Sequence, residues 1–149
     1  QSRFFVTAEW GDQYYTSSLR AGWRFCWGNN INNVNNTDSS TKYMGTVVPF
    51  DCELETITWF VGNVGAETGS TSFKHKITKN GSDLSTQYNW SASGSGGNQF
   101  IRTATPNLAL SSGDAINLRV TSPSSYGSTR QIGRVRVVFR FKITESLAP

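Results

Sequence analysis

The side chains best suited to acid–base, nucleophilic or metal chemistry are few in this 149-residue sequence: one histidine, His75, and two cysteines, Cys26 and Cys52. A Ser-His-Asp arrangement would need His75 beside an activated serine, and no G-x-S-x-G turn is present to present one. Zinc asks for four protein ligands in a structural site and three in a catalytic one. One His and two Cys just reach three, but no close ligand pair such as C-x-x-C exists. The run 94–97 is rich in glycine but lacks the lysine and the helix of a phosphate-binding loop. Carboxylates remain. Asp51, Glu53 and Glu55 stand at i, i+2 and i+4, which places them on one face of a strand. Such a face can hold calcium, meet arginines of a neighbour, or form a solvated, salt-bridged surface.

His75 shares strand parity with Phe73 and Ile77, so it is expected on an apolar face as a hydrogen-bonded core or interface residue. The expectation is a protein without catalytic residues, cofactor or metal. The enzymatic alternative is a glycan lyase or esterase using His75 with the acidic cluster. Both cysteines sit in apolar company, Phe25-Cys26-Trp27 and Phe50-Asp51-Cys52. Two free buried thiols are the expectation; the alternative is one disulfide, contributing ~3–4 kcal/mol by loop closure.

The elements that carry these residues are strands. Val135, Val137, Phe139, Phe141 and Ile143 share one parity; Arg134, Arg136, Val138, Arg140 and Lys142 share the other. This is a half-buried strand with a wet basic face. Residues 115–121 alternate likewise, with Ile116, Leu118 and Val120 inward. Asn80-Gly81 supplies the two positive φ angles of a type I′ turn and predicts a hairpin from the strand of His75 into a strand ending near Trp90. Ser111-Ser112-Gly113-Asp114 forms a tight turn, and Pro49 ends or kinks the strand before it. Residues 54–61 are apolar on both parities, with Leu54 and Phe60 on one and Ile57, Trp59 and Val61 on the other. A strand covered on both sides, or covered on one by another subunit, accounts for that. Turn-rich stretches at 28–41, 91–98 and 122–129 separate the runs. About eight to nine strands without a linker or helical period predict one all-β domain over 1–149, an antiparallel jelly-roll β-sandwich.

Charge narrows the partners. Charged residues make up 16% of the chain, against about 25% in average soluble proteins, and Asn, Ser, Thr and Gly replace them. The net charge of +4 is concentrated in Arg130, Arg134, Arg136, Arg140 and Lys142. Phe139 and Phe141 point opposite to these arginines, which argues against a stacking platform for nucleic acid. No apolar run approaches the ~20 residues of a membrane helix. N-x-S/T sequons at Asn35, Asn80 and Asn89 matter only in a eukaryotic secretory setting. The chain opens on Gln1 rather than Met, as expected of a processed product or a piece of a longer chain.

Three short stretches carry a resemblance. Val47-Val48-Pro49-Phe50-Asp51-Cys52-Glu53-Leu54-Glu55-Thr56-Ile57 resembles the "v-P-f-d-g-x-l" lead-in to a core strand found in C1q/TNF-like heads and in phage tail-fibre and virion appendage domains. Ile77-Thr78-Lys79-Asn80-Gly81-Ser82 and Leu110-Ser111-Ser112-Gly113-Asp114-Ala115-Ile116 resemble the "kNG" hairpin and "l-x-x-GD-x-i" turn of the same group. Together they span about residues 44 to 121. Cys52 stands where that group has glycine, and no collagen-like or coiled-coil stretch occurs within the 149 residues. The resemblance implies a trimeric jelly-roll head that binds or caps.

Two readings of function follow. The first is a non-enzymatic virion domain, extracellular in setting. It would be a homotrimeric head of a bacteriophage tail fibre, appendage or capsid decoration protein. Its partners would be copies of itself, other virion proteins and a host-surface glycan. Ile57, Trp59, Val61 and His75 are its expected subunit interface. The second is a carbohydrate-binding module or lectin of a secreted protein, with Trp10, Tyr14, Tyr15, Trp90 and Tyr126 as the loop aromatics that would stack on sugar.

Overall fold

The computed structural model describes residues 2–10, 45–64, 70–93, 100–120 and 132–146, with backbone alone at 9–10, 61–64, 70–74, 90–93, 100, 120 and 132–135. Nine strands run through them: β1 (Arg3–Trp10), β2 (Thr46–Val47), β3 (Cys52–Val64), β4 (Ser70–Lys79), β5 (Ser82–Ser93), β6 (Phe100–Ala104), β7 (Leu108–Leu110), β8 (Ala115–Val120) and β9 (Ile132–Ile143). There is no helix among the described residues. One sheet has the order β1-β9-β3-β6, with β7 also on β3; the other has the order β2-β8-β4-β5. Every pairing is antiparallel.

The pairs β1·β9, β2·β8, β3·β6 and β4·β5 nest inside one another along the chain. Successive pairs alternate between the sheets. That wrapping of a long double ribbon into two facing sheets is the jelly roll, as the strand count and turn residues predict. β6 and β7 share the length of β3: β6 covers residues 57–61 and β7 covers 52–54.

The core follows from alternation. Val137, Phe139 and Phe141 of β9 and Ile116 and Leu118 of β8 are fully buried, as their shared parity predicts. Burying each such side chain is favourable by about 1.5–3 kcal/mol. Phe141 stacks on Phe4 at a ring separation of 4.7 Å. Cys52 is a free, buried thiol, and burial, reinforced by Asp51, Asp114 and Glu145, pushes it up to about 11. Cys26 lies outside the described residues.

β3 departs from its expected two-sidedness. Leu54 pairs with Phe141, but Thr56 pairs with Arg140, so the register shifts between them. Glu55 is the extra residue of a β-bulge, and it reverses the parity of everything after it. Leu54, Ile57 and Trp59 therefore all face inward and are all fully buried. A single inward face, switched once, replaces the strand that seemed covered on both sides.

Candidate interaction surface

The outward face of the β1-β9-β3-β6 sheet carries apolar surface that the fold leaves uncovered. Register places Thr7, Val138, Thr58 and Thr103 in one row across four strands. Thr58 and Thr103 hydroxyls lie 3.2 Å apart. The next row runs Glu9, Arg136, Phe60, Ile101. Phe60 is 37% exposed and Ile101 60%. On the other side of the threonine row Phe5 of β1, opposite Arg140, is 63% exposed. Three large apolar side chains thus flank an uncharged Thr/Val stripe.

Two cations of the basic face of β9, Arg140 and Lys142, are answered within the chain. Glu55, pushed outward by the bulge, accepts hydrogen bonds from Arg3 at 2.8 and 3.1 Å and forms an ion pair with Arg140 at 3.0 Å. Lys142 pairs with Glu53 at 3.1 Å. The Arg3 hydrogen bonds hold the Glu55 carboxyl below its ordinary range and raise the Arg3 guanidinium. Of the acids expected on one strand face, Glu53 and Glu55 do line it, facing arginine and lysine of the same chain. Asp51 precedes the strand and instead accepts the Ser112 N–H at 2.8 Å.

The three motif stretches converge at one end of the sandwich. Asn80, with φ of 50°, and Gly81, with φ of 84°, make the β4–β5 turn. The Asn80 side chain donates to Asp114 Oδ1 and accepts from the Ala115 N–H, both at 2.8 Å. Its backbone N–H donates to the Ala115 carbonyl at 2.8 Å. Asp114 also accepts the Ser111 N–H at 2.9 Å and pairs with Lys79 at 3.0 Å. Burial works against its charge, yet the hydrogen bonds from Asn80, Ser111 and Lys79 outweigh it and hold the carboxyl below its ordinary range. Val48 exchanges backbone bonds with Asp114 and Gly113. Ser112 Oγ donates to the Pro49 carbonyl at 3.0 Å. Each polar group in this cluster serves another part of it, so its chemistry is that of a clamp on three turns.

The expected subunit interface is corrected. Ile57, Trp59 and His75 are wholly buried inside one chain and cannot line a surface between chains while the sandwich is closed. Val61 belongs to the same strand, paired to Phe100 and Val135. The bulge is the reason: it turns Ile57 and Trp59 toward the core. His75, on β4 opposite Tyr88 and Val120, lies against Trp59 at a ring separation of 6.2 Å. Burial pushes its imidazole down to about 3. The residues that do reach the outer face, Phe5, Phe60 and Ile101, come from three strands that are remote in sequence. Only their shared parity with Arg136 and Arg140, read through the pairing, finds them.

Of the expected sugar-stacking aromatics, the structure describes two, by their backbone. Trp10 ends β1 opposite Val135, and Trp90 lies in β5 opposite Phe73. Both thus belong to strands rather than loops. Tyr14, Tyr15 and Tyr126 lie outside the described residues. No group of three or more His, Cys, Asp or Glu side chains that could hold a metal ion occurs among the described residues, and no described helix is long and apolar enough to cross a membrane.

No family model matches the sequence, and no curated protein matches it. Among solved structures the chain is similar to the globular domain of zebrafish complement 1qA protein. The two share 14% sequence identity, the match covers 97% of this chain and all of that one, and the TM-score is 0.46.

Proposed function

We propose that this chain is a non-enzymatic, self-associating jelly-roll domain. In this reading it is the homotrimeric head of a virion appendage, a bacteriophage tail-fibre or decoration protein, that attaches to host surface glycan. The observation that carries it is the Phe5, Phe60 and Ile101 surface around the Thr/Val stripe. Apolar side chains grouped on one flat sheet face are the ordinary signature of a protein contact. The pairing of Glu53 and Glu55 with Lys142, Arg3 and Arg140 offsets two of the positive charges on that face. That lowers the like-charge repulsion between approaching copies. The three motif stretches shared with trimeric heads support the trimer and the appendage setting.

Sedimentation equilibrium at micromolar concentration tests the reading. The expected species contains three chains of 16.4 kDa. The double variant Phe60→Glu, Ile101→Lys is expected to sediment as a monomer with an unchanged near-ultraviolet dichroism spectrum. A wild-type monomer under these conditions overturns self-association.

A further inference from the structure

His75 is the only histidine of the chain and is 0% exposed, on the inner face of β4 between the sheets. Aromatic rings lie against it. Trp59 of β3 faces it from the opposite sheet, and Tyr88 of β5 lies beside it, itself 5.5 Å from the Trp59 ring. The ionisable groups of the surrounding elements can be placed one by one. The Tyr88 phenol on β5 shares the inner face, and burial raises it. Cys52 on β3 lies at the motif end of the core. Arg102 of β6 is Trp59's cross-strand partner, is exposed, and donates to the neighbouring Ile101 carbonyl. Glu53, Glu55, Arg136, Arg140 and Lys142 take the outer face of the first sheet. On the second sheet, Lys76 is opposite Arg119, which pairs outward with Asp83 of β5. A cation formed at His75 thus sits in low-dielectric surroundings between two sheets, where charge is strongly disfavoured.

We propose that His75 is an acid-operated release, whose protonation opens the middle of the sandwich at Trp59 and Tyr88 while the turn end, five residues along β4, stays clamped by the Asn80–Asp114 and Asp51–Ser112 bonds. Closed, the imidazole stays neutral down to about 3. Opened to water, it takes a proton near its ordinary value of 6.5. The opened form therefore binds more protons, and the stability of the closed form is lost progressively as pH falls from 6.5 toward 3. The clamp titrates in a different window. Asp114 is held below its ordinary 3.8, so its bonds persist above that pH and are lost only below it. Between pH 6.5 and about 4 the middle and the turn end are uncoupled in their response: the middle loosens and the turn end holds.

Hydrogen exchange of the full chain, corrected for intrinsic rates, reads this directly. Between pH 6.5 and 4.5 the opening constant of residues 57–60 and 75–77 is expected to rise on the order of 100-fold, tenfold for each pH unit. Residues 46–52 and 111–116 are expected to stay within a few-fold of their neutral values. In His75→Gln the rise at 57–60 and 75–77 is expected to disappear. An equal rise in both sets of residues, an unchanged rise in the variant, or no rise in the wild type overturns the proposal. Where His75→Gln does not fold, magnetic resonance of isotopically labelled histidine decides. An imidazole that stays neutral at pH 5 in the closed protein supports the release, and one that titrates near 6.5 in it overturns it.

Discussion

Two backbone positions show how single residues set the local geometry. A Cβ at Gly45 would lie 2.4 Å from the Ile116 carbonyl oxygen and 3.1 Å from the Asn117 Cβ. The chain approaches β8 there too closely for any side chain. Gly45→Ala is expected to cost ~1–3 kcal/mol, the range for overpacking a well-filled site, read as a lower urea midpoint. Asn80 does two things at once: it accepts a positive φ and bonds Asp114 and Ala115 through its side chain. Asn80→Gly keeps the first and loses the second, while Asn80→Ala loses both. At about 0.5–1.5 kcal/mol per hydrogen bond, the glycine variant is expected to lose ~1–3 kcal/mol. The alanine variant is expected to lose ~1 kcal/mol more for the left-handed conformation. Equal losses in chemical denaturation would mean the turn conformation contributes nothing. The turn, its type and its hairpin were legible in the sequence, because Asn-Gly is a local signal. The bonds to Asp114 were not, since residues 34 apart meet only after folding.

At the scale of the element, the bulge in β3 does most to arrange the molecule. It brings Leu54, Ile57 and Trp59 to one side although their sequence parity differs. It also delivers Glu55 to Arg3 and Arg140 on the other side. Its register role and its charge role separate experimentally. Deleting Glu55 restores strict alternation and drives either Leu54 or the pair Ile57 and Trp59 to the surface, so the deletion is expected to abolish cooperative thermal unfolding. Glu55→Ala keeps the register and loses only exposed ion pairs, which salt and solvent already weaken. It is expected to fold, with a melting temperature that depends less on added salt than that of the wild type. If the deletion unfolds like the alanine variant, the bulge does not set the register. β9 needs no such reading: its strict alternation gave Val137, Phe139 and Phe141 as core directly.

At the scale of the whole molecule, the jelly-roll order leaves two different surfaces and one core. The core takes His75, Ile57 and Trp59, first expected at a subunit boundary. The outer face of β1-β9-β3-β6 takes Phe5, Phe60 and Ile101. The monomerising pair Phe60→Glu, Ile101→Lys and the acid response of His75 therefore test separate layers. The first is expected to change mass without changing the fold. The second is expected to change the closure of a single chain, whatever the number of chains.

The sequence alone determined what is local or periodic: strands from alternation, the Asn80-Gly81 hairpin, the turn at 111–114, and the placing of His75 on an apolar face. Each depends on neighbours within a few residues, so the pattern is written in order along the chain. Tertiary structure alone decided which parity of β3 faces the core, because a bulge is defined by its partner strand and leaves no mark in composition. It alone gathered Phe5, Phe60 and Ile101 onto one face. Side chains from three strands become neighbours only through antiparallel register, which residues far apart in the chain set together.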